Sequence, residues 1–507
     1  MTSVDVGGRV DLRLVPAAVT AWAVTAAGIL WHGPGATVTA LAAAAITAAG
    51  AWWGSGRAGA APTTAAVLAV AVVGAGFTIA VGLRVHQLRH HPVADRYGTI
   101  ATVIVTPSES PRPLGSGRLM FRGSMQALNG DEMSGRVVVF ASVVGFADLS
   151  AGRPASFSAR IGRPTRSDLS VAVLSATGRP TLGEAAPMQR AAHRIRTGLA
   201  DAARAALPAD QAAMLPALVL GDTAAVTGQT TAEFRASGLT HLTAVSGANV
   251  TIVCGAVLFT AALVGPQAAV TLAALALIAF VIVVQPSASV LRAAVMGGIT
   301  LLAVVSHRRR QAIPALSASV LTLMIGAPEL AVDLGFALSV SATAALVVIA
   351  PLWSRRLVDR GWPKPLADAV SVAVAAQLVT APLVAGIAGT FSVVSMAANL
   401  AVAAVIPPIT VIGTAAAALC PVWPAGAQLL IRFTGPELWW LLRVARWAAG
   451  VPGSSVPVPS GLLGVVTVAV GGVAMVALWR WRWVRIAAAA GVVCLLAWTL
   501  SGHVGPA

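Results

Sequence analysis

Long apolar stretches, each close to the roughly 20 residues that cross a hydrocarbon core, divide this chain into spans and connections. They fall near 15–31, 36–53 and 63–83, and again near 241–263, 267–285, 290–306, 312–327, 330–353, 366–388, 393–419, 461–479 and 484–501. About twelve membrane spans are predicted. The first follows Arg9 and Arg13 as a signal peptide would, but further apolar runs come soon after it, so it is read as a retained span.

From about 84 to 200 the apolar signal gives way to short runs such as Thr99–Val105 and Arg136–Val144, separated by Pro, Gly and Ser clusters. That pattern predicts a small β-rich domain, in barrel form. Residues 187–207 then show helical spacing with a basic face, which suits a surface-lying helix. Residues 428–450, with Arg432, Glu437, Arg443, Arg446 and the Trp439-Trp440 pair, are amphipathic and are placed at the interface. The expected organisation is N-terminal membrane helices at 1–83, a β domain at 84–190, linker helices at 191–240, a membrane core at 241–425, and an interfacial helix with further spans at 426–507.

Composition agrees with the pattern. Of 507 residues 57% are hydrophobic and 10% charged, against about 25% charged in an average soluble domain, which excludes an ordinary soluble enzyme. The net charge is nevertheless +16, carried almost wholly by arginine, with Lys364 the single lysine.

Position decides what that charge is for. Basic residues in short loops mark the cytoplasmic side, which puts His307–Arg310 and the loop with Arg355, Arg356, Arg360 and Lys364 inside, and Glu329 and Asp333 outside between them. Counting back puts the N-terminus inside and the β domain outside; counting forward leaves Arg480, Arg482 and Arg485 outside, a conflict at the C-terminal end. Residues 84–196 hold 15 arginines against seven acidic residues, a net +8. Anchoring does not explain arginines on a translocated domain, which leaves anionic lipid or a polyanion such as single-stranded nucleic acid. Arg118, Arg122, Arg136, Arg160, Arg163 and Arg166 are the candidates for capture, although aromatic platforms are sparse.

In the membrane half, Gly238, Ser246, Gly247 and Asn249 interrupt what would otherwise be a plain helix, as in broken helices lining an aqueous path. His241, Ser246 and Asn249 then face water; the competing reading is small-residue helix packing with interhelical hydrogen bonds. Arg292 is a charge inside a span, costing at least about 2.5–3.5 kcal/mol. It contacts phosphate, pairs with Asp222 or Asp333, or snorkels to the nearby interface. Asn399 falls at similar depth and Gln377 deeper, so the set reads as one path.

A hydrolase is weighed and set aside. His241 and Ser246 are five residues apart, on different faces of a continuous helix, and no Gly-x-Ser-x-Gly elbow surrounds the serine. Neither a Walker-type loop nor a His-Glu-x-x-His helix is present. Cys254, Cys420 and Cys494 lie in apolar runs and read as buried hydrophobes. His90-His91 reads as a solvated loop. No cofactor and no metal are expected.

The run His241-Leu242-Thr243-Ala244-Val245-Ser246-Gly247-Ala248-Asn249-Val250 resembles the ComEC family of competence membrane proteins. Leu220-Gly221-Asp222, Ser289–Ala293, Asp333–Ser339, Gln377–Pro382 and Ala398-Asn399-Leu400 follow the family's motifs in order. The resemblance implies a channel for single-stranded DNA in natural transformation and an OB-like fold for residues 84–190 on the outer face. Asn249 departs from the family's usual histidine, which weakens a proton or metal role there. Many members continue into a metallo-β-lactamase-like domain; its His-x-His-x-Asp-His motif is missing here, so a nuclease step is expected from another protein.

The sequence therefore predicts a polytopic α-helical membrane protein with an inserted OB-like barrel, working as a DNA channel of the cytoplasmic membrane rather than as an enzyme. Expected partners are single-stranded DNA, membrane lipid, an outer-face DNA receptor, a cytoplasmic helicase-like motor and a separate nuclease. The alternative is an intramembrane enzyme or small-solute transporter on the same scaffold.

Overall fold

The computed structural model describes residues 11–31, 61–109, 111–146, 149–284, 287–306, 311–478, 481–483 and 486. The spans expected at 36–53 and 484–501 and the basic cluster 307–310 lie outside them. The chain divides into two compact units, each discontinuous in sequence: residues 1–197 with 250–339, and residues 198–249 with 340–507.

The first unit holds the β domain. Its strands are β1 (Ile100–Pro107), β2 (Arg112–Gly115), β3 (Arg118–Leu128), β4 (Asp131–Ser142), β5 (Ala155–Gly162) and β6 (Ala172–Leu182). β1 pairs with both β3 and β5, β5 with β6, β6 with β4 and β4 with β3, so five strands close a barrel and β2 adds a short edge on β3. All these pairs are antiparallel except β4 with β6. The β3–β4 hairpin turns at Asn129-Gly130, both at positive φ, as a tight two-residue turn between right-twisted strands requires.

Alternation along each strand sends one set of side chains inward. Val103, Phe121, Met125, Val139, Phe157 and Leu174 are buried in one core. The short helix Val143–Phe146 between β4 and β5 brings Phe146 into the same core, with its ring edge-on to Phe157 at 5.2 Å.

The same unit contains the helices Val15–Leu30, Ala61–Arg89, Pro266–Val284, Ala288–Val305 and Ala312–Gly326. In Pro266–Val284 the buried residues are Ala269, Ala273, Leu277, Phe280 and Val284, a stripe at helical spacing. Leu272, Leu275 and Ile278 on the same helix are exposed, as suits a surface solvated by lipid rather than water.

In the second unit Ala209–Leu220, Gly228–Ala236, Lys364–Ala388, Ile406–Leu419, Gly435–Gly450 and Leu462–Leu478 are the main helices. A two-stranded ribbon, Thr390–Ser392 with Ser455–Pro457, ties two connections together. The amphipathic prediction for 428–450 holds for the helix Gly435–Gly450: Leu438, Leu441, Leu442 and Ala445 are buried while Trp439, Trp440 and Trp447 are exposed.

Four helices among the described residues are long and apolar enough to cross a membrane, and a fifth crossing is formed if the bent pair Ser395–Val402 and Ile406–Leu419 counts as one. Six more apolar helices are shorter. Among the described residues the expected count of about twelve is therefore not reproduced by full-length helices, and in two places a break interrupts the predicted span. The predicted span 393–419 bends by 55° before Pro407-Pro408, which lack the N–H groups a continuous helix needs. The predicted span 241–263 begins instead with a turn of 3-10 helix, Thr240–Leu242, and becomes α-helical only at Gly247.

Candidate functional site

The barrel carries a row of outward cations. On β3 the inward residues are Leu119, Phe121 and Gly123, which leaves Arg118, Met120, Arg122 and Ser124 on the outer face. Register sets Phe140 beside Met120, Val138 beside Arg122 and Arg136 beside Ser124. Arg118, Arg122 and Arg136 thus share one face of the β3–β4 ladder, with the Arg118 guanidinium 5.8 Å from the centre of the Phe140 ring. Arg136 also forms an ion pair with Glu329.

The other three capture candidates lie elsewhere on the barrel. Arg160 points outward from β5, Arg163 follows that strand and stacks over Tyr97 at 5.9 Å, and Arg166 is exposed in the next turn. The Tyr97 hydroxyl donates to the Val171 carbonyl at 2.8 Å. Burial pushes its phenol above the ordinary value, against the pull of the Arg163 guanidinium. Of the His90-His91 pair expected in a solvated loop, His90 is exposed and His91 is half-exposed: the His91 Nδ1 accepts from the Val93 N–H, so its Nε2 donates to the Ser134 carbonyl at 2.9 Å.

In the second unit the interrupted helix builds a polar corner. The Asn249 amide, 5% exposed, donates through Nδ2 to the Leu218 carbonyl at 2.9 Å, and its Oδ1 accepts from the Ser246 hydroxyl at 3.3 Å. Leu218 lies in the last turn of Ala209–Leu220, where carbonyls lack intrahelical partners, so Asn249 satisfies one of them across 31 residues of chain. A cavity of about 140 Å³ opens beside this corner, lined by His241, Ser246, Asn249, Ile406, Ile409 and Thr410 among others. The Ser246 proton goes to an amide oxygen, a partner that cannot serve as a general base.

Gln377 and Asn399 meet at Ser395. The Ser395 hydroxyl donates to Gln377 Oε1 at 3.2 Å, and Asn399 Nδ2 donates to the Ser395 carbonyl at 2.8 Å. Gly238 packs directly on Ser395: its φ is +73° and a Cβ there would stand 2.4 Å from Ser395 Oγ. That glycine opens the loop leading to His241, so the loop joins the Gln377 network to the His241 cavity. Ser395 and Thr410 were missed from sequence, since serine and threonine are common in membrane helices and only the fold brings these two to the cluster.

Arg292 belongs to the first unit and is 5% exposed. Its Nε donates to the Ser339 hydroxyl at 2.8 Å and Nη1 to Met296 Sδ at 3.0 Å, while Ser289 and Ser339 share a hydrogen bond of 3.2 Å. None of the ion pairs among the described residues includes Arg292, Asp222 or Asp333. The two aspartates act on their own backbone: Asp222 Oδ1 accepts from Ala224 N, and Asp333 Oδ1 from Phe336 N at 2.8 Å at the start of Leu334–Val348. Among the described residues no three His, Cys, Asp or Glu side chains gather as a metal site.

Apolar helices long enough to cross a bilayer, a small barrel with outward arginines and polar clusters among the helices define a helical membrane protein with a basic β domain. The family model described as Competence protein matches residues 218–483, more than half of the chain. The chain belongs to this family, as the ordered motifs lead one to expect, and the family's role is in DNA uptake during transformation. No curated protein and no solved structure gives a match.

Proposed function

We propose that this protein is a multi-pass channel of the cytoplasmic membrane that admits single-stranded DNA from its outer face. The observation that carries this reading is the row of Arg118, Arg122 and Arg136 on one outer face of the barrel, with Phe140 beside it, in a chain of the competence family. The strand order, with the third and fifth barrel strands parallel, is that of OB-like barrels, whose second and third strands present the face that takes oligonucleotides. Those two strands here are β3 and β4.

Capture by such a face is electrostatic. Each phosphate neutralised releases counterions, and the half-buried Phe140 ring holds the Arg118 guanidinium on the same face. Passage then needs contacts weak enough to release the strand. The side chains of the second unit suit that need, since Gln377, Ser395, Asn399 and Ser246 are neutral. The Ser246 hydroxyl is engaged by the Asn249 amide oxygen rather than by His241, which lines the same cavity, and this favours transport over intramembrane hydrolysis. A cytoplasmic motor or the proton gradient would drive movement, an outer-face receptor would deliver DNA, and a separate nuclease would remove one strand.

The test is salt-dependent binding of oligo-dT to the full chain in nanodiscs. Affinity should fall with log salt by about 0.7 per phosphate contact, and Arg118→Gln with Arg122→Gln should flatten that slope. Binding that ignores both salt and these arginines would sink the reading.

A further inference from the structure

The row of cations ends at a cavity. Arg136, the last of the three, faces a space of about 220 Å³ whose walls include Arg84, Gln87, His91, Leu169 and Glu329. The volume far exceeds the ~15 Å³ that one water requires. Arg136 is about half exposed, and Glu329 holds it in an ion pair. Glu329 sits on the 3-10 turn Pro328–Val332, whose backbone is fixed by the Trp22 indole N–H donating to the Ala331 carbonyl at 2.9 Å. Arg84 lies on the helix Ala61–Arg89 and donates to the Ile325 carbonyl at 3.2 Å; no ion pair among the described residues includes it.

We propose that this cavity is a phosphodiester site guarded by Glu329, whose carboxylate occupies the Arg136 guanidinium until a phosphate of the incoming strand displaces it. The inference rests on the DNA-channel reading and adds to it a specific site and an intramolecular competitor. Three observations carry it. A carboxylate and a phosphodiester present paired oxygens to the same guanidinium fork, so one can replace the other without moving Arg136. Arg84 and Arg136 face a single carboxylate, which leaves the cavity a net cation even with the ion pair formed. The position is also continuous with the row: Arg118 and Arg122 are four residues apart on β3, about 14 Å along the strand, and Arg136 lies opposite Ser124, one step further. A strand laid along these arginines therefore reaches the cavity where the barrel meets the turn between Ala312–Gly326 and Leu334–Val348.

The pair is a suitable guard because it is weak. Half-exposed ion pairs exert a competition of about two- to fivefold, enough to suppress stray anions and small enough for a polyanion held at several points to overcome.

The experiment compares the full chain in nanodiscs with its Glu329→Gln, Glu329→Asp and Arg136→Gln variants, using oligo-dT across a salt series. Glu329→Gln should tighten binding about two- to fivefold. Glu329→Asp should return it to the wild-type value, and Arg136→Gln should weaken it, lower the salt slope by about 0.7 and abolish the gain when combined with Glu329→Gln. Unchanged or weaker binding by Glu329→Gln overturns the proposal, as does a gain that survives loss of Arg136 or is shared by Glu329→Asp. If Glu329→Gln instead raises only retention on vesicles of anionic over neutral phospholipid, the cavity serves a headgroup and the proposal fails. Wild-type protein that binds oligo-dT while the variants change nothing removes this inference alone; wild-type protein that does not bind at all removes the channel reading itself.

Discussion

Arg292 gives its Nε–H to the Ser339 hydroxyl at 2.8 Å, and its other recorded contact is the neutral Met296 sulfur. Replacing a buried ion by an apolar group of similar volume is often neutral or stabilising, whereas truncation leaves a cavity. If Arg292 serves the strand rather than the fold, the two kinds of replacement should separate stability from uptake. Arg292→Met should hold or raise the thermal midpoint, Arg292→Ala should lower it, and both should cut DNA uptake about tenfold or more, an expected loss of about 1.4 kcal/mol or more in effective binding. Transformation frequency and thermal unfolding of the same variants check this; full uptake by Arg292→Met would remove Arg292 from the path.

Asn249 links two elements through one amide. Asn249→Ala leaves the Leu218 carbonyl without its donor, at a cost of about 1–3 kcal/mol, seen as a lower unfolding midpoint in nanodiscs. Asn249→His, which restores the family's usual residue and one ring N–H, should recover most of that stability. Equal losses in both would show that shape rather than hydrogen bonding matters at this corner.

Gly238 has a backbone that side chains resist, and a neighbour that leaves no room for one. Gly238→Ala should cost about 1–2 kcal/mol for the left-handed conformation alone, and the clash with Ser395 adds to it. Because Ser395 carries both Gln377 and Asn399, uptake should fall both in Gly238→Ala and in Ser395→Ala. Normal uptake by Gly238→Ala at permissive temperature would uncouple the loop from the path.

Tyr97 is the sole tyrosine of the chain, so the ultraviolet tyrosinate signal reports on one phenol. Its proton is held more tightly in the folded barrel than in the unfolded chain, whose phenol titrates near the ordinary 10.0. The stability that comes with burying the neutral phenol is thus fully present below that value and is lost as pH rises through the higher folded one. The signal should titrate late in the native protein, and Tyr97→Phe should lose about 1 kcal/mol at neutral pH and this part of the alkaline instability. A native titration at the ordinary value would contradict the burial described for this ring.

Much of the architecture was legible because period and length carry it. The barrel region announced itself by short apolar runs between turn residues, and the helix Lys364–Ala388 by one uninterrupted stretch with its basic lead. The breaks were partly legible: Gly238 and Gly247 marked an interruption, but the bend ahead of Pro407-Pro408 lay inside a run that reads as a single span. Site residues were harder. Arg118, Arg122 and Arg136 were chosen as charges on one domain, and only strand register shows that they share a face with Phe140 while Arg160, Arg163 and Arg166 do not. Ser395 and Thr410 have no signal in sequence, because their significance lies in neighbours brought from 18 residues away, in the case of Gln377, or from a different part of the unit.

The interleaving of the two units has a consequence in time. The segment 198–249, with His241, Ser246 and Asn249, emerges from the ribosome before the second half of its own unit, while residues 250–339 complete the other one. Synthesis at about 5–20 residues per second makes Asn249 wait roughly 10–30 s for Ser395, Ile406 and Thr410. During that interval its polar corner lacks the side chains that complete it in the folded unit. Slow codons between 250 and 390 should lengthen this exposure and lower yield more than slow codons after 420.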